Sequence, residues 1–487
     1  MLRPIFVHAQ PSTEHDLRYD TTMMVNGSVA VLNAVTKDLL GYPGIAIDET
    51  YPSVTTVGHE CAYVRTYLRE QIETSLRAGD EPVVFCTLLN YNAENALALL
   101  TELKQEFGTR LRTGVGGQLV RVCPEAYLRN SHIDHIGVGD AEVVLAPLLL
   151  GRKRFASGYK TVTPTDHYTP PLYDQYLGLE ERLDDMARYA FGPFRDMRQL
   201  VVESVRGCAW AYTNAICRFC ALEGIDTQPV FRDIGAQTQI ERELVARFGV
   251  NWLFDVSNQW IPTVKSIKIG EWLRHYIRER AKYHAPALNR YVYLTTNSIT
   301  ARTAPLLHEA GVRIAYIGID GWDKLTRAAL FKTQVDCHKA LRACAENGLY
   351  VRTSLVIGSG LTRANLEALP LFVGELLGEF GGNVILSFGN FLEIVLPGSA
   401  DWREFEAQAE RDHIEEARAL FAFFRAHGWI SLTQEDRLNE LRIRHTQCDV
   451  TFEDVIAARD QAVAITKRSL ALSVTIRECE KLHRTNE

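Results

Sequence analysis

The sequence predicts an α/β protein: two successive parallel strand–helix series followed by a helical C-terminal region. Three observations lead there. Short apolar runs alternate with helix-length stretches over the first 150 residues. The alternation resumes near residue 199 and continues to about residue 400, while the chain beyond it carries long amphipathic stretches. Between the two series, "TVTPTDHYTPPLYDQYLG" is rich in Pro, Thr and Tyr, as an interdomain linker would be. The expected organisation is a first domain over 1–150, a linker over 151–198, a second domain over 199–400 and helices over 401–487.

Composition narrows the function classes. A chain of 487 residues with 46% hydrophobic content can bury a full core. Its net charge of −7, without a long Lys/Arg run, argues against broad electrostatic binding to nucleic acid. The opening "MLRPIFVHAQPSTEHDLRYD" meets charge soon after a very short apolar run, unlike a secretory leader. "AEVVLAPLLLG" is too short to span a bilayer. A cytoplasmic protein without membrane partners is expected. Ten cysteines in a chain of this size are too sparse for a disulfide scaffold. A local cluster of them in a reducing compartment points to metal binding or catalysis. Cys61, Cys86, Cys123, Cys337, Cys344, Cys448 and Cys479 stand alone and read as small buried hydrophobes.

The first series can be followed piece by piece. "EPVVFCTLL" (81–89) is a buried-strand run, and "AENALALLTELKQEFG" (93–108) is the helix after it. "LRTGVGGQLV" (111–120) is the next strand, ending in glycines; "PEAYLRN" is a short helix. "HIDHIGVGDAEVVLAPLLLG" is strand, turn and helix. Such spacing predicts a Rossmann-like parallel sheet with helices on both faces, and ligands of such sheets sit beyond the carboxyl ends of the strands. Thr87, Gly116, Gly117 and Gly139 fall at those ends, where a glycine lets a bulky ligand approach the backbone. A glycine after a strand is also an ordinary turn residue.

The order of these pieces resembles the cobalamin-binding domain that precedes many radical S-adenosylmethionine (radical SAM) enzymes. The matching segments are "VVFCTLLNYN", "TGVGGQLV" and "IGVGDAEVVLAPLL", with Asp140 and Glu142 at the last turn. The resemblance implies bound cobalamin, with the four residues above as its contacts. One departure concerns the Asp-x-His-x-x-Gly motif that supplies a cobalt ligand in many cobalamin proteins. In "SHIDHIGVG", Asp134 and His135 are adjacent, which is the wrong spacing. The lower axial position is left unassigned.

A strand over "MRQLVVESVRGC" runs into "SVRGCAWAYTNAICRFCALEG" (204–224), which holds Cys208, Cys217 and Cys220 with gaps of eight and two residues. Three chemistries compete for the trio. Structural zinc wants four ligands, usually in two pairs, and here there is one close pair and no obvious fourth ligand. Buried structural cysteines are the second. A site-differentiated 4Fe–4S cluster is the third: three irons take thiolates and the fourth stays open to a substrate or cofactor. The stretch resembles the cysteine loop of radical SAM enzymes, with Phe219 as the aromatic residue before the third cysteine. The gap of eight is longer than the family's usual one and resembles radical SAM proteins that mature ribosomally made peptides. Trp210 and Tyr212 lie inside it and either approach substrate or fill space around the cluster.

The second series supports the same resemblance. "VNWLFDVSNQW" is a strand ending in Asp255; strand–helix units follow at 289–311, 312–333 and 349–377, and "NVILSFGNFLEIVLPGSA" closes the series. Counted from the strand before Cys208, these give about six strands, hence a partial (β/α)6 barrel open on one side. "YIGIDGWDKLTRAALFKT", with Asp320 and Lys332, resembles the family's fourth-strand segment, and "LVIGSGLTRANLE", with Ser359, its fifth. By that resemblance Asp255, Asn297, Asp320 and Arg352 or Ser354 contact SAM. Each is otherwise an ordinary polar residue of a strand end. The helices after residue 400 pack, solvate or cap the open barrel.

The resemblance implies an enzyme that reductively cleaves SAM at a cluster held by Cys208, Cys217 and Cys220, fed by an electron donor such as flavodoxin or ferredoxin. The radical formed abstracts a substrate hydrogen, and cobalamin in the first domain implies C-methylation of a peptide or a natural-product intermediate. Two rivals stand beside this. One is a radical SAM rearrangement or crosslinking enzyme in which cobalamin is no methyl carrier or is absent. The other is a non-catalytic zinc-binding protein.

Overall fold

The structure is a computed structural model, and it describes residues 1–9, 26–49, 61–160, 169–189, 194, 196–209, 217–221, 229–261, 268–282, 288–329, 337–357, 361–381, 383–386, 395–446 and 449–468. Trp210, Tyr212, Lys332 and Ser359 lie outside them. The chain forms two compact units, Met1–Asp185 with Glu406–Glu435, and Met186–Phe405 with Asp436–Glu487. Both are α/β.

The first unit is built on a parallel sheet of six described strands: β1 (Leu2–His8), β2 (Ile45–Asp48), β3 (Glu81–Thr87), β4 (Arg112–Gly116), β5 (His135–Gly139) and β6 (Phe155–Gly158). Their order is β2-β1-β3-β4-β5-β6. The chain therefore steps outward from β1 to β2 and then returns to the other side with β3. That reversal makes the carboxyl ends of β1 and β3 a switch point, the crevice where doubly wound sheets bind ligands. Sequence patterning found β3, β4 and β5 but not β1, although Ile5, Phe6 and Val7 are fully buried between β2 and β3. β6 and the segment Leu172–Leu177, which bonds to the Ala46 backbone of β2, come from the stretch expected to be a linker.

Helices cover the faces by local rules. The helix Gly27–Leu40 starts at Asn26, whose side chain accepts from the Ser28 amide at 2.9 Å, and stops at Gly41 with φ of 80°. In the helix Ala93–Phe107, Ala96, Leu99, Leu100 and Leu103 are fully buried at the spacing of one helical face. The helix Glu415–His427, far along the chain, belongs to this unit: Tyr127 donates to the Gly428 carbonyl at 2.5 Å.

The second unit carries a parallel sheet of six described strands in strict succession: β7 (Gln199–Val202), β10 (Trp252–Asp255), β11 (Asn289–Leu294), β12 (Val312–Asp320), β13 (Tyr350–Leu355) and β14 (Val384–Leu386). Each neighbours the next in register, and β7 and β14 are the two edges, as an unclosed barrel requires. A further pair, β8 (Val205–Arg206) with β9 (Val230–Phe231), is antiparallel. One face of the parallel sheet packs on helices through Val292, Ala315, Ile317, Val351 and Leu355. Strand residues alternate faces, so Phe254, Tyr291, Tyr293 and Tyr316 stack on the other, with centroids 4.5 Å apart for Phe254–Tyr291 and 4.9 Å for Tyr293–Tyr316. Phe194 packs against Trp252 and Tyr350 at the amino end of this face. The helix Phe452–Arg468 adds Val455, Ala458 and Ala462 to the same core. Among the described residues, no helix is long and apolar enough to cross a membrane.

Candidate functional site

In the first unit, Thr87, Gly116, Gly117 and Gly139 all lie at the carboxyl edge of the sheet. Thr87 and Gly116 are paired in register, and the Leu88 amide donates to the Gly116 carbonyl at 2.7 Å. Asn92 ties the loop after β3 by donating to the Thr87 carbonyl at 3.0 Å and accepting from the Leu89 amide at 2.8 Å. Two of the glycines are required by the backbone. Gly117 has φ of 103°, and a Cβ there would stand 2.6 Å from the Leu88 carbonyl oxygen. Gly139 has φ of 119°, and a Cβ would fall 1.9 Å from the Gly158 oxygen.

Gly116 is different. Its φ is ordinary, and a Cβ would meet only the Gly137 oxygen, at 3.5 Å, among the described residues. Among the described residues, nothing demands glycine there. The missing side chain leaves a shallow cradle at the strand end, the feature a large planar ligand needs for close approach. This strand end therefore admits close approach of a ligand to the Gly116 backbone.

The structure also explains why Asp134 and His135 have no part in that edge. They begin β5, at the opposite, amino end of the sheet. Asp134 pairs with Lys104 at 2.5 Å, and His135 donates from Nδ1 to the Lys153 carbonyl at 2.7 Å. Burial holds His135 below its ordinary pKa. Asp140 and Glu142 hold the chain beyond β6, accepting from the Lys160 amide at 2.7 Å and the Thr169 amide at 3.3 Å.

Sequence reasoning missed His8. It ends β1 at the switch point, almost wholly buried, with Nε2 3.3 Å from the Tyr91 hydroxyl and Nδ1 3.4 Å from the Asn92 amide. Asp48 stands beside it in register on β2, held by Arg182 at 2.6 Å and the Tyr176 hydroxyl at 3.0 Å. The signal was present: "PIFV" is a fully apolar run closed by a histidine. Burial keeps His8 neutral, below 6.5; Asp48 opposes that shift and Arg182 adds to it. The unfolded chain thus binds a proton before the folded one, and stability falls as pH drops below about 6.5, levelling once the folded group titrates. Urea midpoints measured between about pH 5 and 8 should show this slope, and His8→Asn should make it shallower, leaving the shares from His135 and His308.

In the second unit, the cysteine stretch follows β8. The pairing of β8 with β9 closes the base of the excursion between them, and the Arg232 amide donates to the Ser204 carbonyl at 2.9 Å. Cys208, Cys217 and Cys220 are reduced, half-buried thiols on that loop. Cys217 and Cys220 share one turn, with the Cys220 amide donating to the Cys217 carbonyl at 2.9 Å. Among the described residues, no three His, Cys, Asp or Glu side chains are gathered closely enough to hold a metal ion. The three sulfurs share a loop without closing on a common point. The donor set itself is sulfur-only and three in number, which suits an iron–sulfur cluster better than a four-ligand zinc site.

The other predicted residues occupy strand ends of this sheet. Asp255 ends β10, fully buried, and both of its oxygens are engaged by the hydroxyls of Ser204 and Ser257. The Ser204 amide adds a bond at 3.2 Å, and Ser257 accepts from the Val205 amide at 2.7 Å. This knot fixes the bend between β7 and β8 that leads to Cys208. Burial raises the Asp255 pKa, against the lowering effect of the serine bonds. Asn297 is exposed on the short turn Thr296–Ser298 after β11.

Asp320 ends β12 in the left-handed region, with φ of 60°. The register to β13 shifts between Gly318 and Asp320, and the Asp320 carboxylate folds back so that a Cβ on Gly318 would stand 2.9 Å from it. A non-glycine residue at such φ, on a bulge at a strand end, is the kind of strain that functional sites store. Arg352 and Ser354 lie on β13 opposite Tyr316 and Gly318, and the Tyr316 hydroxyl donates to Ser354 Oγ at 2.9 Å. Arg352, Ser354 and Asp320 thus share the carboxyl half of the aromatic face, while Asp255 is committed to the backbone of the cysteine loop.

No family model matches the chain, and no curated protein matches it in sequence. Solved structures do. A cobalamin-dependent S-adenosylmethionine radical enzyme, OxsB, with aqua-cobalamin and S-adenosylmethionine bound, superposes with a TM-score of 0.63 at 11% identity, over 100% of this chain and 84% of that one. The radical S-adenosylmethionine methyltransferase TsrM from Kitasatospora setae, with cobalamin and a [4Fe-4S] cluster bound, gives 0.56 at 16% identity, over 84% of this chain and 78% of that one. At such identities the likeness is one of fold: mixed α/β with two parallel sheets and a helical C-terminal region.

Proposed function

We propose that this chain is a cobalamin-dependent radical SAM enzyme that cleaves S-adenosylmethionine reductively and methylates a carbon of a peptide or natural-product intermediate. The domain bounds that go with this reading are 1–150 for cobalamin, 199–400 for the radical SAM barrel and 401–487 for the helical region, joined through 151–198. The observation that carries it is the sulfur-only trio Cys208, Cys217 and Cys220 on the loop after β8, next in the chain after the first strand of a six-stranded parallel sheet. When bound, a 4Fe–4S cluster supplies the electron that cleaves SAM, and cobalamin relays a methyl group.

The chain's own residues have simpler tasks. The three thiolates would hold a 4Fe–4S cluster with one iron left free for SAM. Asn297, Asp320, Arg352 and Ser354 supply polar contacts around the strand ends, with Tyr316 fixing the Ser354 hydroxyl. Phe254, Tyr291 and Tyr293 form an apolar floor that keeps water from a reactive species. In the first unit, Gly116 leaves room for a corrin to come close to the backbone, and Thr87, Gly117 and Gly139 shape the strand ends beside it.

The test is anaerobic purification with iron and sulfide reconstitution, then incubation with hydroxocobalamin, SAM and a reductant. The reading expects about four irons per chain, retained corrin, methionine and 5′-deoxyadenosine from SAM, and S-adenosylhomocysteine as the mark of methyl transfer. Gly116→Leu, which fills the cradle, should lose corrin while keeping iron. A chain without an iron–sulfur absorption band refutes the radical SAM reading. A chain that makes 5′-deoxyadenosine but retains no corrin refutes methyl transfer and leaves rearrangement or crosslinking.

A further inference from the structure

The turn between Cys217 and Cys220 is fastened from a distance. The two residues inside it are Arg218 and Phe219, and Arg218 reaches the start of the helix Ala400–Arg411. Its Nε donates to Asp401 Oδ1 at 2.9 Å, and its Nη2 donates to Glu404. The backbone answers in the other direction, the Asp401 amide donating to the Arg218 carbonyl at 3.2 Å. Asp401 is only 2% exposed, and Arg442 Nη1 stands 3.9 Å from its second oxygen. The Ser399 hydroxyl accepts from the Trp402 amide at 3.1 Å and orders the helix start beneath it. A buried carboxylate at a helix N-terminus is in a favourable field, and a fork of charge-assisted bonds to a guanidinium fixes orientation as well as attraction.

We propose that Asp401 is a positioning residue for the 4Fe–4S cluster, clamping the Cys217–Cys220 turn through Arg218 and balancing the Arg218 charge beside the cluster. This rests on the cluster reading given above. Two consequences separate the geometric part from the electrostatic one. Without the clamp, the turn samples other arrangements and its thiols become accessible. Without the balance, the local charge changes sign of effect: Asp401→Asn leaves Arg218 less compensated and favours the reduced, more negative cluster, whereas Arg218→Gln leaves the carboxylates and disfavours it.

The experiment has a metal-free arm and a metal-loaded arm, both on the full chain. In the apo-protein, alkylation of Cys217 and Cys220 by iodoacetamide, mapped by mass spectrometry, should speed up roughly tenfold in Asp401→Asn and Arg218→Gln, with buried Cys344 as the unreactive reference for intact fold. In the reconstituted protein, chelator-driven iron loss should accelerate by a similar factor. The cluster potential should rise in Asp401→Asn and fall in Arg218→Gln. Arg218→Lys, which keeps the charge but not the fork, should stay near the wild-type potential while losing iron faster. Wild-type alkylation rates in the apo variants overturn the clamp, and equal or same-signed potential shifts overturn the charge balance. A wild-type chain that takes up no iron overturns the cluster reading, while faster alkylation in the variants would still hold for the clamp.

Discussion

On the proposed function, alanine at Cys208, Cys217 or Cys220, singly, is expected to abolish reductive SAM cleavage, with a loss greater than about a thousandfold. In the proposed three-cysteine site each thiolate would hold one iron, so removing one would leave too few ligands to retain the cluster. Iron content after anaerobic reconstitution and 5′-deoxyadenosine formed per chain are the measurements. The contrast lies in the isolated cysteines. Cys344 is fully buried, and burial pushes its thiol up to about 12, so it is a packing residue and no ligand. Cys344→Ala should keep both iron and turnover and lose about 1 kcal/mol of stability. Full iron content in any of the three loop variants would refute the assignment of that cysteine.

The largest expected effect on stability is at Glu241. Glu241 and Arg290 form an ion pair in which both side chains are wholly buried, on the helix Ile234–Phe248 and at the start of β11. Gln237 donates to Glu241 at 3.0 Å, as does the Tyr276 hydroxyl to its other oxygen. The Arg290 guanidinium lies over the rings of Tyr276 and Trp260, at 5.0 and 5.7 Å. Burial works against the guanidinium's charge, and the adjacent Glu241 outweighs it, holding Arg290 above its ordinary value. Glu241→Gln strands that cation in a dry site, which costs about 3–5 kcal/mol. The melting temperature should fall by roughly 10 °C. The double variant Glu241→Leu with Arg290→Met should recover most of the loss, because an apolar pair of similar volume incurs no desolvation cost. A double variant as unstable as the single one would show that the loss comes from packing instead.

Much of the architecture was legible in the residues. A strand–helix series announces a parallel sheet, and such a sheet puts the residue after each strand on one edge. That rule singled out Thr87, Gly116, Gly117 and Gly139 in the first unit, while Asn297, Asp320, Arg352 and Ser354 in the second were singled out by the family resemblance. β1 escaped because its seven residues read as a stray apolar opening; only its place between β2 and β3 makes it central. His8 escaped with it. The C-terminal helices were legible as helices, but their amphipathic faces do not say what they cover: Glu415–His427 joins the first unit and Phe452–Arg468 the second.

The sequence by itself determined the class of fold, which residues stand at the strand ends and the spacing of the cysteine trio, because periodicity, strand length and residue chemistry are local properties. The tertiary structure decided which polar residues are committed elsewhere. Asp255 looked like a ligand contact at a strand end, and the fold gives both its oxygens to Ser204 and Ser257. Arg218 lies between two cysteines with no local sign of a partner, and the fold fastens it to Asp401, 183 positions away. The reason is physical: a buried polar group must find a partner, and folding supplies that partner from a part of the chain that no local pattern specifies.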